Sequence, residues 1–320
     1  MDLDTLPVLS LADAPETLAR DLGDSFATFG FAMVKDHGLD PALVARAWDL
    51  TAQFFALPEA EKRGYLIPGQ GGARGYTAFG TEIAKGAKAH DLKEFWHVGR
   101  DLPPGHPLSD SMSPNIWPTR PEGFRETFEA LYADLDRVGA TILARIAVWL
   151  GLDERWFDPA IADGNSVLRL LHYPPVPNAE GGASDGRIRA GAHEDLNLIT
   201  LLLGAEEAGL ELLTKTGKWL AVDPPQGALV VNIGDMLQRL TNHVLPSTTH
   251  RVRNPDGPRS AHSRYSMPFF LHLRSDFPFV TLPGCVTASS PDRYSPKNGQ
   301  APITADDYLQ ERLREIGLKT

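Results

Sequence analysis

The stretch His193-Glu194-Asp195-Leu196-Asn197-Leu198-Ile199-Thr200-Leu201 begins with the single His-x-Asp arrangement among the chain's ten histidines. On a β-strand, residues two apart project from the same face, so His193 and Asp195 can reach one point together while Glu194 turns away. The apolar run that follows, Leu196 to Leu201, suits such a strand. An imidazole and a carboxylate sharing a face make half of a metal site. In isolation, a His-x-Asp pair is a weak signal, more often a turn than a metal site, and a further ligand has to come from elsewhere.

The surroundings read as β-rich. Beyond about residue 165, short apolar runs at 167–173, 192–203, 210–213, 228–233, 265–273 and 279–282 are separated by Gly, Pro, Asn or Asp. That pattern favours an antiparallel sandwich or barrel over alternating βαβ units. Upstream the period changes. Leu18, Leu22, Phe26 and Phe29 mark a helix over 15–29, which Gly30 ends before a short apolar strand at 31–34. Leu43, Ala47, Leu50 and Phe54 mark another over 41–56, with Pro41 suited to its first turn. Residues 69–80 are glycine-rich and read as a loop. Phe124, Phe128, Leu131, Leu135, Val138, Ile142 and Ile146 mark the strongest helix, over 121–150, and a closing helix is expected over 306–318. The first third thus reads as helical with one strand inside it.

Three histidines compete to complete the metal site. His250, in Thr248-Thr249-His250-Arg251-Val252, follows the 228–233 strand and a Gly234-Asp235 turn, and is preferred; His243 and His262 are rivals. Two imidazoles and one carboxylate on one face of an octahedron suit non-haem Fe(II), with the opposite face left for a chelating cosubstrate and O2. Farther on, Arg264-Tyr265-Ser266 puts a guanidinium fork and a hydroxyl on one strand face, a receptor for a carboxylate. Alone, Arg264 would read as an ordinary strand arginine.

Together, His193-x-Asp195, His250-Arg251-Val252 and Arg264-x-Ser266-x-Pro268-Phe269-Phe270 resemble the isopenicillin N synthase-like family of 2-oxoglutarate/Fe(II) oxygenases. Leu171-His172-Tyr173-Pro174, Asn232-Ile233-Gly234-Asp235 and the Gly30–Gly38 stretch resemble that family's corresponding segments, so the likeness spans nearly the whole chain. The resemblance implies a mixed α and β fold, a distorted double-stranded β-helix (a jelly-roll barrel) flanked by N-terminal and central helices. It implies a single oxygenase unit over 1–320, with a mainly helical part at 1–120 and a catalytic core at 165–285. It further implies Fe(II) on His193, Asp195 and His250, and 2-oxoglutarate held by Arg264 and Ser266 with Tyr173 nearby. O2 is the remaining reactant and a small molecule the substrate. Arg74, Tyr76, Phe79, Phe95, His97, Gln238 and Asn242 lie where relatives often contribute pocket residues. His37 reads as a turn residue. Leu171 departs from the Asn of many plant relatives. The alternative within the family is an oxidase that uses no 2-oxoglutarate and grips a substrate carboxylate with Arg264 and Ser266.

Composition excludes several other classes. A net charge of −10 and no Lys/Arg run argue against electrostatic binding of nucleic acid. Cys285 is the only cysteine, so neither an intrachain disulfide nor a thiolate zinc site can form. No apolar run approaches the ~18 residues of a membrane helix, and the acidic start is unlike a signal peptide. A cytoplasmic enzyme is the expectation. A zinc hydrolase would lack its HExxH helix and leave Arg264-x-Ser266 unexplained, and a mere binding jelly roll would have no use for open coordination positions.

Overall fold

The computed structural model describes residues 4–68, 72–81, 93–175, 189–204, 209–253, 262–296 and 300–315. Its helices start and stop where local chemistry dictates. Helix α1 (Pro15–Phe29) buries Leu18, Leu22, Phe26 and Phe29 along one stripe and ends at Gly30, whose φ of 70° closes the last turn through an N–H bond to the Phe26 carbonyl. In α2 (Pro41–Phe55), the Asp40 carboxylate accepts from Ala42 N and Pro41 fills a position that needs no N–H. A short α3 (Glu59–Arg63) follows. The central α4 (Phe124–Trp149) begins after Gly123, slightly inside the 121–150 expected from its periodicity. After it come α5 (Asp158–Ile161), α6 (Asp235–Leu240) and α7 (Ala305–Glu315); the last part of the expected 306–318 helix lies outside the described residues.

Among the described residues, twelve strands form two sheets. They are β1 (Val8–Ser10), β2 (Phe31–Lys35), β3 (Gly75–Thr77), β4 (Glu94–Gly99), β5 (Val167–Tyr173), β6 (Ala190–His193), β7 (Ile199–Leu203), β8 (Leu210–Leu213), β9 (Trp219–Ala221), β10 (Leu229–Ile233), β11 (His250–Val252) and β12 (Arg264–Leu271). The large sheet runs β1-β2-β10-β7-β12-β5-β4-β3 and the small one β6-β11-β8-β9. All of these pairings are antiparallel except β1 with β2.

Strand alternation divides the large sheet into two faces. Ile199, Leu201 and Leu203 of β7, Met267, Phe269 and Leu271 of β12, Leu168 and Leu170 of β5, and Trp96 and Val98 of β4 join one core with α1, α2 and α4. Gly139 lets α4 come close there, since a Cβ on it would stand 2.4 Å from Leu271 Cδ1. On the opposite face, Phe31, Met33, Leu202 and Val230 meet Leu210, Leu212 and Val252 of the small sheet. This is the expected jelly roll, a double-stranded β-helix with helices outside.

Several expectations are corrected. The 192–203 run is not one strand: β6 and β7 belong to different sheets, and the chain crosses between them at 194–198. Residues 279–282 form no strand; Phe279, Thr281 and Leu282 are buried while Val280 is exposed, and Phe279 packs on Tyr308. The described part of the first third holds four strands where one was expected, and the 69–80 loop contains β3, whose Tyr76 pairs with Trp96 of β4. No helix among the described residues is long and apolar enough to cross a membrane.

Candidate metal centre and carboxylate anchor

The crossing between sheets builds the candidate metal centre. His193 closes β6 and pairs directly with His250, the first residue of β11, bringing their ring centroids to 4.4 Å. Asp195 lies two residues beyond the end of β6, so the turn, not strand alternation, carries its carboxylate back. Its Oδ1 is 3.7 Å from His193 Nε2 and 3.9 Å from His250 Nε2. Among the described residues this is the only trio of His, Cys, Asp or Glu with ligand atoms this close, all within 4.8 Å of one another.

Backbone and polar neighbours orient each ligand. Nδ1 of His193 donates to the Gly191 carbonyl at 2.7 Å and Nδ1 of His250 to the Thr248 carbonyl at 3.1 Å. Each bond fixes the tautomer and leaves the Nε2 lone pair facing Oδ1. The other carboxylate oxygen, Oδ2, accepts from Thr200 Oγ1 at 2.5 Å and Asn232 Nδ2 at 2.8 Å. Asp195 also accepts at its backbone carbonyl from Asp235 N at 2.7 Å. Phe31 meets His250 edge-on at 5.5 Å.

Electrostatics agree with this geometry. Crowding by protein atoms, then the adjacent His250 imidazole, push His193 down to about 4, although one edge of its ring remains open to solvent. Burial alone would raise Asp195, but the two imidazoles, Asn232 and Thr200 outweigh it and hold the carboxyl below its usual range. A neutral imidazole and an ionised carboxylate are the forms that bind a divalent cation. Two nitrogens and one oxygen converging from one side therefore fit Fe(II).

The candidate carboxylate anchor lies on the inner face of the large sheet. Arg264 pairs with Tyr173 and Ser266 with Leu171 across β12 and β5. All four are buried, and Arg264 Cζ lies 5.3 Å from the Tyr173 ring centroid.

Both halves of the chain match known families. Residues 2–120 match the family described as non-haem dioxygenase in morphine synthesis N-terminal, and residues 164–273 match the 2OG-Fe(II) oxygenase superfamily. The 2-oxoglutarate-Fe(II) type oxidoreductase hxnY of Emericella nidulans is 34% identical over 94% of this chain and 85% of its own length. The chain belongs to the 2OG-Fe(II) oxygenase superfamily. A 2OG-Fe(II) oxygenase family protein from Caulobacter crescentus has a solved structure with 51% identity and a TM-score of 0.89, covering 98% of this chain and 99% of that one. A full-length Neurospora crassa protein solved in complex with alpha-KG is 30% identical with a TM-score of 0.83, covering 98% and 97%; it has also been solved with alpha-KG and thymine. The protein is thus an oxygenase that couples 2-oxoglutarate decarboxylation to substrate oxidation with Fe(II) and O2.

The pocket candidates of this oxygenase divide into groups. Phe95 and His97 lie on the inner face of β4, Phe95 in a small cluster with Leu171 and Tyr173. Arg74 is buried at the end of the same strand, over Gly99. Tyr76 points to the outer face: its hydroxyl donates to Glu94 and Glu59, and its ring packs on Phe54. Phe79 is 47% exposed. Gln238 accepts from Ser247 N at 2.9 Å, and Asn242 donates to the carbonyls of Cys285, Ser290 and Pro291 at 3.2 Å, so both brace loops. The rival histidines are elsewhere: exposed His243 stacks on Tyr294, and His262 is exposed.

Residues that sequence reasoning missed include Thr200 and Asn232 behind Asp195. Arg169 is another, with its guanidinium between Phe95 at 4.3 Å and Phe270 at 5.3 Å. So is Arg189, fully buried and 6.0 Å from the Tyr173 ring. A polar residue inside an apolar strand, such as Asn232 in Leu229-Val230-Val231-Asn232-Ile233, was the available signal. A charged group rarely enters a core without a partner or a task.

Proposed function

We propose that His193, Asp195 and His250 hold the Fe(II), that Arg264 and Ser266 with Tyr173 hold the far carboxylate of 2-oxoglutarate, and that the substrate is a small molecule bound at the metal-bearing end of the barrel. The observation that carries this reading is the convergence of two tautomer-fixed imidazoles on one carboxylate oxygen, with its partner oxygen tied back by Thr200 and Asn232. The similar Neurospora crassa protein, solved with thymine, supports a small-molecule substrate. Such a substrate also suits an acidic protein with a buried, partly aromatic inner wall. The whole chain acts as one unit, with the 165–285 core completed by strands from the first 120 residues.

Bound Fe(II), 2-oxoglutarate and O2 supply the oxidising chemistry. The chain positions and shields. Arg264 presents its fork to a carboxylate at a buried position, where a charge-assisted pair is stronger than in water. Tyr173 and Leu171 wall that site, and Phe31 packs edge-on against the His250 ring.

Metal retention tests the ligand assignment. After loading with Fe(II) and anaerobic dialysis, the wild-type protein and His243→Ala should keep about one iron per chain. His193→Ala and Asp195→Ala should lose it. Retention by Asp195→Ala, or loss in His243→Ala, would move the site.

A further inference from the structure

Arg74 is a buried cation with no opposite charge against it among the described residues. Only 3% of its surface is exposed, and Nη1 donates to the carbonyl of the preceding Ala73, while Nε and Nη2 have no hydrogen-bond partner among those residues. Burial pulls its pKa down, and Tyr132 and Asp101 only partly offset that from a distance. A guanidinium stays charged in proteins, so Nε and Nη2 are desolvated with no compensating partner among the described residues. Such a cost in an otherwise well-paired interior calls for an explanation.

Its position supplies one. Gly99 continues the inner-face series Phe95, His97, Gly99 of β4, and a Cβ there would stand 1.9 Å from Arg74 Cζ. The guanidinium thus occupies the space that a side chain at 99 would take. Strand register connects this point to the metal: Gly99 pairs with Val167, Val167 with Phe270, and Phe270 with Thr200, which bonds Asp195. Arg74 and the ligand cluster therefore share one level of the barrel, at the end away from Arg264. At that level Val167 of β5 and Phe270 of β12 stand between them, and the Arg169 guanidinium, held against the Phe270 and Phe95 rings, donates from Nε to His97 Nε2 at 2.6 Å.

We propose that Arg74 receives the carboxylate of the substrate, which is a carboxylic acid with an apolar or aromatic body that runs past Phe270 toward the ligand cluster. This deepens the oxygenase reading and rests on it. The fork geometry of Nε and Nη2 matches a carboxylate in bidentate fashion. The net charge of −10 makes a buried guanidinium at this point a local device and not part of a basic surface.

The test uses the full-length protein loaded anaerobically with Fe(II) and saturating 2-oxoglutarate, which occupies Arg264. Thermal unfolding is followed with acetate, benzoate, phenylacetate and decanoate, each against its primary amide. At least one carboxylate, and not its amide, should raise the wild-type midpoint. Arg74→Met, and Gly99→Ala by displacing the guanidinium, should weaken that response at least tenfold. Without added acid, Arg74→Met should melt at or above the wild-type temperature, since it removes an uncompensated buried charge. The proposal is overturned if Arg74→Met melts lower without ligand, if both variants keep the wild-type response, or if no acid is preferred to its amide. The visible band of the 2-oxoglutarate chelate, recorded on the same samples, separates the two readings. Its absence from the wild-type protein would sink the oxygenase assignment instead.

Discussion

Asp195 offers two oxygens, and the protein assigns them different tasks. Oδ2 is committed to Thr200 and Asn232, so Oδ1 is held toward both imidazoles. Thr200→Val keeps the shape and removes the donor, freeing the carboxylate to rotate. Fe(II) affinity, measured by competition with a chromophoric chelator, should fall about 10–100-fold; an unchanged affinity would show that the bond does not orient the ligand. Arg264→Lys keeps charge but loses the planar fork. The KM for 2-oxoglutarate should rise about tenfold or more, with a smaller effect on kcat, since a charge-assisted bond contributes roughly 1.5–3 kcal/mol. At this scale the sequence was most informative, because His193, Asp195, His250, Arg264, Ser266 and Tyr173 each belong to a short pattern with its own chemistry. Arg169 and Arg189 belong to none. Their placement depends on strand register and long-range packing, which no local window contains.

The elements around the centre act through their junctions. Asp195 hangs in the crossing from β6 to β7, and the crossing is braced by the turn from β10 into α6. A Cβ on Gly234 would stand 2.2 Å from the Asn197 carbonyl oxygen, a backbone atom that cannot step aside. Gly234→Ala should therefore shift the crossing. We expect a loss of about 1–3 kcal/mol in unfolding experiments, accompanied by weaker iron retention. Full iron retention in a destabilised protein would mean that the crossing is not coupled to the site. The same crossing explains a limit of sequence reading. Ala192 to Leu203 is apolar enough to pass for one strand, and only the partners of its two halves, β11 for β6 and β10 and β12 for β7, reveal the change of sheet. Helices α1, α2 and α4 were legible because their stripes are set locally. β3 and β9 are three residues each and owe their existence to a neighbouring strand.

For the whole molecule, stability and acidity are linked through buried histidine. His272, after the end of β12, is 8% exposed, its Nδ1 has no partner among the described residues, and burial pushes it down to about 4. Unfolded, it returns to its ordinary value near 6.5. Between those values the unfolded chain binds a proton that the fold refuses, so stability present above pH 6.5 is lost as pH falls toward 4, by about 3 kcal/mol. Urea midpoints taken across that window should decline, and His272→Leu should flatten the decline; an equal slope in the variant would remove His272 as its source. The jelly roll brings His193, Asp195 and His250 together with Arg264 and Ser266 from distant parts of the chain. The central claim is that 2-oxoglutarate spans the distance from the His193-Asp195-His250 iron to Arg264. Anaerobic titration of the Fe(II)-loaded protein with 2-oxoglutarate tests it most directly. The account predicts a weak visible charge-transfer band that saturates in the wild-type protein and requires much higher concentrations in Arg264→Ala. No band with iron still bound, or identical titrations for the two proteins, would contradict it.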